Sequence, residues 1–200
     1  MENMEFLLKP SSIAVIGASN TPGKVGHEIF ANLVKGGFLG ELVPINLKST
    51  ELLGIKCYTS LKAYGKAVDL SVIAIPANYV LGAVEDCLSM GVKAICVITA
   101  GFKETGKEGA ELEKHIASLC AAQQVRMLGP NCLGLINTHQ NMNASFASRM
   151  PKKGVISVIS QSGALCTAIL DWASGRHLGL AKLISMGNKA DLSETDFLKT

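Results

Sequence analysis

Ile13-Ala14-Val15-Ile16-Gly17-Ala18-Ser19-Asn20-Thr21-Pro22-Gly23-Lys24-Val25-Gly26-His27-Glu28-Ile29-Phe30-Ala31-Asn32-Leu33-Val34 is the stretch whose reading decides the fold. Ile13 to Ile16 is a short uninterrupted apolar run, the pattern of a parallel strand buried on both faces. Gly17 ends it. Past the loop, Val25, Ile29 and Leu33 fall on one helical stripe with Phe30 and Val34 beside it, the spacing of a helix laid on a sheet. The amides of a glycine-rich loop and the unsatisfied first turn of the helix point toward one place, and the helix dipole favours an anion there. A phosphate is the natural guest; a tight strand-to-helix turn with no ligand is the alternative that this loop alone leaves open.

The glycines do not make the strict G-x-G-x-x-G of NAD enzymes, because Ser19 stands where the second glycine belongs. Leu42-Val43-Pro44-Ile45-Asn46 reads as the second strand. An NAD enzyme usually sets an acid near the end of that strand for the ribose hydroxyls, whereas this chain has Asn46, Leu47 and Lys48. A lysine there suits a ligand with an extra phosphate near its ribose, as in coenzyme A or NADP. Taken alone, Lys48 is equally a solvated loop charge.

Composition narrows the class. Two hundred residues make one large domain or one and a half ordinary ones. Hydrophobic content of 48% with 18% charged and 5% aromatic residues places the chain with compact α/β enzymes. Mean hydropathy is high at +0.30, yet no apolar run approaches the ~20 residues that cross a bilayer. The excess is expected in a double-sided core and a subunit interface, hence no membrane and an oligomer. Met1 to Glu5 lacks the basic start of a secretory signal, so a cytoplasmic location is expected. A net charge of +3 from 19 basic and 16 acidic residues, with the lysines scattered, argues against nucleic acid. Six cysteines without a C-x-x-C pair read as reduced thiols filling core space. The four histidines lack ligand spacing, so no metal site is expected.

In chain order, residues 52–66 read as a polar connector with a helical turn near Ser60. Val68 to Pro76 is the third strand, followed by a helix with Val80, Val84, Cys87 and Leu88 on its apolar stripe and Gly91 at its end. Ala94 to Ile98 is the fourth strand, ended by Thr99-Ala100-Gly101-Phe102. Leu112, Ile116, Leu119 and Cys120 mark another amphipathic helix before the strand at Val125 to Leu128. Strand-helix alternation means a parallel, doubly wound α/β sheet with right-handed crossovers. Ligands bind outside the carboxyl ends of such strands, which brings together the loops Gly17 to Gly26, Pro76-Ala77-Asn78 and Thr99-Ala100-Gly101, with Lys48 reaching in. Each loop alone is also a plain strand terminator; their convergence argues for a site.

Gly129-Pro130-Asn131-Cys132-Leu133-Gly134 is a loop of turn residues leading through Leu135-Ile136-Asn137 into a polar stretch. Asn131 and Cys132 are either reaction-site residues or a turn with a buried thiol. Met150 to Gly154 reads as a linker, dividing residues 1–150 from 151–200. Val155 to Ile159 opens the second unit as a strand, and Ser160-Gln161-Ser162-Gly163 leads into a helix with Leu165, Ile169, Trp172 and Ala173 on one face. Ser160 to Gly163 is a second anion cradle, or Ser160 or Ser162 is an ordinary N-cap. Ser162 lacks the G-x-S-x-G elbow of a nucleophile. Leu180 to Met186 is a further strand and Asp191, Ser193 or Glu194 starts a helix, a unit too short to close a doubly wound domain, so the second unit reads as truncated.

Through Val-Ile-Gly-Ala-Ser, Gly-Pro-Asn-Cys-Leu-Gly, Ser-Gln-Ser-Gly-Ala-Leu and Ser-Met-Gly-Asn-Lys-Ala-Asp, in order and at matching spacing, the chain resembles the nucleoside-diphosphate-forming acyl-CoA synthetases. The likeness is to the α-subunit region of the ADP-forming acetyl-CoA synthetases and their succinyl-CoA ligase relatives. It implies a Rossmann-like CoA-binding domain followed by the start of a flavodoxin-like domain. It implies CoA held by Gly17, Ala18, Ser19, Asn20, Gly23, Lys24, Val25, Gly26 and Lys48, with Pro76, Ala77, Thr99, Ala100 and Gly101 flanking adenine and pantetheine. It further implies a phosphohistidine's phosphate cradled by Ser160, Gln161, Ser162 and Gly163, with Asn131 and Cys132 close to the thioester chemistry.

The family reaction interconverts acyl-CoA, ADP and phosphate with acid, CoA and ATP through an acyl phosphate and a phosphohistidine. No histidine here occupies the phosphorylated position, which is expected beyond residue 200. ATP, ADP and Mg are expected only through an ATP-grasp domain or β subunit, so these 200 residues should bind CoA without completing catalysis. Two other readings remain open: the module also resembles the CoA-binding regulatory modules fused to Gcn5-related protein acetyltransferases, and the loop with Lys48 leaves room for an NADP-binding oxidoreductase domain.

Overall fold

A computed structural model describes residues 3–199. Helix α1 (Met4–Leu8) precedes strand β1 (Ser12–Ile16). Ile13 and Val15 enter one apolar core and Ala14 and Ile16 the opposite one, so β1 is buried on both faces and its sequence is apolar without alternation. The glycine loop then leads into α2 (Val25–Gly36), closed by Gly37 in the left-handed conformation at φ 70°. Next come β2 (Glu41–Ile45), a short ribbon of β3 (Glu51–Leu52) and β4 (Ile55–Lys56), and α3 (Leu61–Tyr64). The alternation continues with β5 (Leu70–Ile73), α4 (Val80–Ser89), β6 (Ala94–Val97), α5 (Lys107–Ala122) and β7 (Arg126–Leu128). Then follow β8 (Gly134–Asn137), β9 (Met142–Ser145), β10 (Lys153–Ser160), α6 (Gly163–Gly175), β11 (Leu180–Ser185) and α7 (Glu194–Leu198).

Five strands form a wholly parallel sheet in the order β2-β1-β5-β6-β7. The winding direction reverses between β1 and β5, and that reversal opens a crevice at the carboxyl ends of the strands. A second, mixed sheet runs β10-β11-β8-β9, with β10 and β11 parallel and the other pairs antiparallel. The α/β doubly wound expectation is met by the first sheet. Among the described residues no helix is long and apolar enough to cross a membrane.

Three stretches are more ordered than their sequence pattern indicates. The connector at 52–66 holds the β3-β4 ribbon, and its helical turn is α3, N-capped by Ser60 Oγ accepting from Ala63 N at 3.0 Å. Leu135-Ile136-Asn137 does not lead out into a polar stretch; it is β8, with Leu135 and Ile136 entering different cores. Strand β9 reads polar yet is buried, because Ser145 Oγ donates to Asn143 Oδ1 at 2.6 Å while Met142 and Ala144 fill the core. Both strands lie before residue 150 and pair into the second sheet, so that sheet draws strands from both sides of the 150–151 linker.

One helix face matches its expected stripe except at its first residue, and one is rotated from it. Val25 is 41% exposed, leaving Ile29, Phe30 and Leu33 to anchor α2. In α6 the buried set is Cys166, Leu170 and Ala173, spaced at i, i+4 and i+7, whereas Leu165 and Trp172 face solvent.

The two sheets share one core. Phe30 and Leu33 of α2 pack in the same cluster as Met142 and Ala144 of β9 and Ile184 of β11. Asn32 Nδ2 donates to the carbonyls of Ser145 at 2.9 Å and Ala147 at 2.8 Å, and Asn137 Nδ2 donates to Leu8 O at 2.8 Å. On the other side Arg126 pairs with Asp191, through Nε at 3.1 Å and Nη2 at 3.2 Å.

Candidate functional site

The glycine loop is built for close approach. Gly17 sits at φ 92°, and a Cβ there would collide with the Ala74 carbonyl and lie 2.7 Å from Ile75 Cγ2. Only glycine meets both demands. A Cβ on Gly26 would run into the Gly17 carbonyl, so the first turn of α2 packs on the end of β1 with no room for a side chain. The N-cap of α2 is Lys24, which makes no side-chain cap, so no side chain of the cap residue takes up the first-turn amides. Glu28 Oε1 accepts from Gly23 N at 2.9 Å, and His27 Nδ1 lies 2.8 Å from Ser19 O, fixing the loop from inside.

Asn46 ties in the neighbouring turn. Its Nδ2 donates to Ala18 O at 2.8 Å, while its Oδ1 accepts from Lys48 N at 2.8 Å and Ser49 N at 3.1 Å. The side chain at the usual acid position therefore works as a strut. It fixes the turn carrying the exposed Lys48 against the glycine loop.

A cleft of about 560 Å³ opens at the carboxyl ends of the first sheet. Val25 of α2, Ala74 to Pro76 after β5, and Ile98 to Ala100 after β6 line one side. Asn131, Cys132 and Leu133 form its floor, with Phe146, Gln161 and Gly163 contributed from the second sheet. The strand ends are laced together. Thr99 Oγ1 donates to Ile75 O at 2.7 Å, Asn131 N donates to Thr99 O at 2.9 Å, and Cys132 Sγ donates to Val97 O at 3.3 Å. Cys96 Sγ lies 3.9 Å from Cys132 Sγ; that neighbouring thiol and full burial push the Cys96 thiol well above the usual range.

At the second helix start, Ser162 Oγ accepts from Leu165 N at 3.2 Å as an N-cap, and Ser160 Oγ accepts from Ser162 N at 3.1 Å. The hydroxyls shape the turn. The first amides of a 13-residue helix remain beside the cleft at Gly163. Gln161 Nε2 donates to Glu194 Oε1 at 3.3 Å, and Lys189 Nζ holds the same carboxylate at 2.9 Å, keeping Glu194 below the usual carboxylate range.

Behind the floor lies a polar cluster that the sequence pattern did not reveal. Asn188, nearly buried, donates from Nδ2 to Glu104 Oε2 at 2.6 Å and Glu113 Oε2 at 2.7 Å, and its Oδ1 accepts from Asn131 Nδ2 at 3.2 Å. Lys103 Nζ donates to Asn188 O and lies 3.5 Å from Glu113 Oε1. Glu104 Oε1 accepts from Gly101 N at 2.6 Å. Burial pushes the Glu104 carboxyl up, but the Asn188 amide and the Gly101 N–H outweigh it and hold it below the usual range. The loop after β11 docks here because Asn188 N donates to Pro130 O at 2.8 Å and a Cβ on Gly187 would strike the Pro130 carbonyl.

Comparison with known proteins gives the family. A family described as "CoA binding domain" matches residues 11–138, more than half of the chain. This chain belongs to that CoA-binding family. Residues 153–200 match a second family, "Succinyl-CoA ligase like flavodoxin domain". An ADP-forming acetate–CoA ligase of Methanocaldococcus jannaschii is 46% identical over 98% of this chain and 27% of its own length. The α subunit of ADP-forming acetate–CoA ligase II of Pyrococcus furiosus is 42% identical over 98% of this chain and 42% of its own. Among solved structures, the dinucleotide-forming acetyl-coenzyme A synthetase 1 of Ca. Korarchaeum cryptofilum, in complex with phosphate and ADP, superposes with TM-score 0.95. It is 41% identical and covers 100% of this chain and 42% of that one. The chain thus spans between about a quarter and under a half of these relatives' lengths.

Within this CoA-binding chain, the cleft gathers eight of the sequence-derived candidates: Val25, Pro76, Thr99, Ala100, Asn131, Cys132, Gln161 and Gly163. Gly17, Ala18, Ser19, Asn20, Gly23, Lys24 and Gly26 form the loop above it, and Lys48 stands on the tethered turn beside that loop. Ala77 and Gly101 line an adjoining depression of about 480 Å³ at the start of α5 instead. Asn46, Asn188, Leu133 and Phe146 were not among the candidates. Glu113 gave the available signal: a carboxylate three residues before Ile116 falls on the buried face of α5 and needs a partner. Among the described residues no group of three or more His, Cys, Asp and Glu side chains is arranged to hold a metal ion.

Proposed function

We propose that this chain is the CoA-binding portion of an ADP-forming acyl-CoA synthetase of the acetyl-CoA type. The observation that carries the reading is the cleft itself, where the glycine loop, the β5 and β6 ends and the Ser160–Gly163 helix start meet. The fit to CoA is physical. Gly17 and Gly26 let the backbone approach a pyrophosphate, the first-turn amides of α2 face it, and Lys48 and Lys24 supply positive charge. Pro76, Thr99 and Ala100 flank the adenine and pantetheine, with Ala77 and Gly101 at the margin. The thiol end reaches Asn131 and Cys132.

There the thiol would attack the carbonyl carbon of an acyl phosphate, forming the thioester as the C–O bond to phosphate breaks and inorganic phosphate leaves. Ser160, Gln161, Ser162 and Gly163 receive that phosphate at the α6 start, where amide dipoles favour it. Among the described residues no histidine lines the cleft. In this reading the phosphohistidine lies outside the 200 residues, and nucleotide and Mg belong to an ATP-grasp domain or β subunit of the assembled, cytoplasmic enzyme. The chain alone holds CoA and does not turn over.

Calorimetric titration with CoA, dephospho-CoA, NAD and NADP, repeated on Lys48→Ala, tests the reading. CoA should bind, dephospho-CoA less well, and Lys48→Ala should lose part of the difference between them. Binding of NADP without CoA would sink the assignment.

A further inference from the structure

We infer that Phe146 sets the size of the acyl group this site accepts, restricting it to short unbranched acyl chains. The inference deepens the CoA reading and rests on it. Among the residues lining the cleft, Phe146 is the one aromatic side chain, and it is 39% exposed although its neighbours Ser145 and Ala147 are buried. An apolar ring left in the mouth of a cleft, with its chain neighbours inside the core, is a wall rather than a core residue.

The backbone behind the ring is fixed. Asn32 Nδ2 clamps the carbonyls on both sides of it, Ser145 O at 2.9 Å and Ala147 O at 2.8 Å. Ser145 Oγ accepts from Ala147 N at 3.2 Å, and Phe146 N donates to Leu133 O at 3.4 Å. Asn32 belongs to α2, whose start carries the glycine loop, so the wall and the carrier-binding loop are set by one helix.

The wall stands at the reacting end. Leu133, bonded to Phe146, follows Cys132 in the floor, and Leu133 Cβ lies 3.6 Å from where a Cβ on Gly163 would sit. Leu133 N is in turn held by Ser185 Oγ at 3.0 Å. Phe146, Leu133 and Gly163 therefore surround the place where the thiol meets the phosphate-receiving loop. An acyl group on that thiol points at the Phe146 ring. The clamp fixes where the ring is anchored, so it leaves the cleft only by changing rotamer, and an apolar wall at a binding site discriminates by methylenes.

The test is calorimetric titration of the 200-residue chain and its Phe146→Ala and Phe146→Leu variants with CoA, acetyl-CoA and isobutyryl-CoA. Each methylene that gains or loses apolar contact is worth about four-fold in affinity. The unmodified chain should prefer acetyl-CoA to isobutyryl-CoA by about ten-fold, Phe146→Ala should abolish or invert that ratio, and Phe146→Leu should fall between them. Thermal melts show which variants are folded, and the conservative leucine carries the comparison if alanine is not. An unchanged ratio in a folded variant that binds CoA overturns the inference. So does equal weakening of all three ligands, which would mean that the ring grips the carrier. Failure of the unmodified chain to bind CoA overturns the CoA reading itself, a distinct result.

Discussion

Gly26→Ala isolates the contact on which the glycine loop depends. Gly26 lies in the first turn of α2, outside the left-handed region, so alanine there incurs no backbone strain and should gain up to about 1 kcal/mol of helix propensity. Against that gain, the added methyl would overlap the Gly17 carbonyl oxygen, lie 2.7 Å from Gly17 C and 3.3 Å from Ala18 N. All three atoms are backbone and cannot rotate away, so relief requires separating α2 from β1. Overpacking of this kind costs about 1–3 kcal/mol, and the upper end applies where the obstacle is main chain. The net expectation is a loss of about 2 kcal/mol, or roughly 4–8 °C in Tm for a chain of this size. Gly82→Ala is the control: Gly82 is an exposed residue of α4 with no heavy atom within 4 Å of an added Cβ, and it should gain about 0.5–1 kcal/mol. Paired thermal melts read the difference, and CoA titration should show Gly26→Ala weakened by about ten-fold through one displaced charge-assisted hydrogen bond. If Gly26→Ala melts at or above the unmodified chain, as Gly82→Ala should, the tight approach of α2 to β1 is wrong and the anion cradle loses its basis.

Three further outcomes follow from the polar cluster and the thiols. Asn188→Ala removes the shared donor of Glu104 and Glu113 and should cost about 2–3 kcal/mol, with Asn188→Asp costing more by adding a third carboxylate; denaturant melts measure both. The Glu104 carboxyl titrates below its unfolded value, so its contribution is present above about pH 4.3 and is lost as pH falls through the lower folded value. Glu104→Gln should therefore flatten the fall in stability between pH 5 and 3 (roughly the range over which carboxylates protonate), as read from urea melts at stepped pH. Burial pushes the thiols of Cys87 and Cys120 up to about 12, so a thiol-specific disulfide reagent should leave both unmodified in the native chain at pH 8 (about four units below them) and count six thiols in denaturant.

What the sequence revealed and what it hid divide along physical lines. Strand β1 was legible because both its faces are buried, and the continuous run Ile13 to Ile16 has no other economical reading. The convergence of the Gly17, Pro76 and Thr99 loops followed from topology alone, since parallel strands place all their carboxyl ends on one edge. Strand β9 was illegible because Asn143 and Ser145 satisfy each other inside the core, so a buried strand carries a polar signature. The α6 stripe was misplaced because Leu165, Ile169 and Trp172 and the set Cys166, Leu170 and Ala173 are both apolar at helical spacing, so periodicity alone does not choose between the two adjoining faces. Asn46 and Asn188 escaped because an asparagine bonded to backbone or carboxylate partners distant in sequence leaves no periodic trace; only Glu113, on an apolar helix face, marked where one of them had to be.

The placement of β8 and β9 also changes what the cleft is. The first sheet supplies the glycine loop, Pro76 and Thr99, the part that the proposed reading gives to a carrier's phosphates and base. Leu133, Phe146, Gln161 and Gly163 come later in the chain; Leu133 leads into β8, which pairs with β11, Phe146 follows β9, which pairs with β8, and Gln161 follows β10 on the other side of β11. Asn188, on the loop after β11, reaches back to Asn131 and Glu104, and Arg126 of β7 reaches forward to Asp191. Each sheet therefore orients residues that the other contributes to the cleft, and the seam between them is stitched by hydrogen bonds and an ion pair as well as by shared apolar packing. Polar stitching fixes angle where apolar packing alone tolerates sliding, and a thiol must meet a carbonyl carbon within a fraction of an ångström to react. The seam's polarity is the feature expected if the reacting end of the cleft, rather than the carrier-binding end, is what the second sheet is there to align.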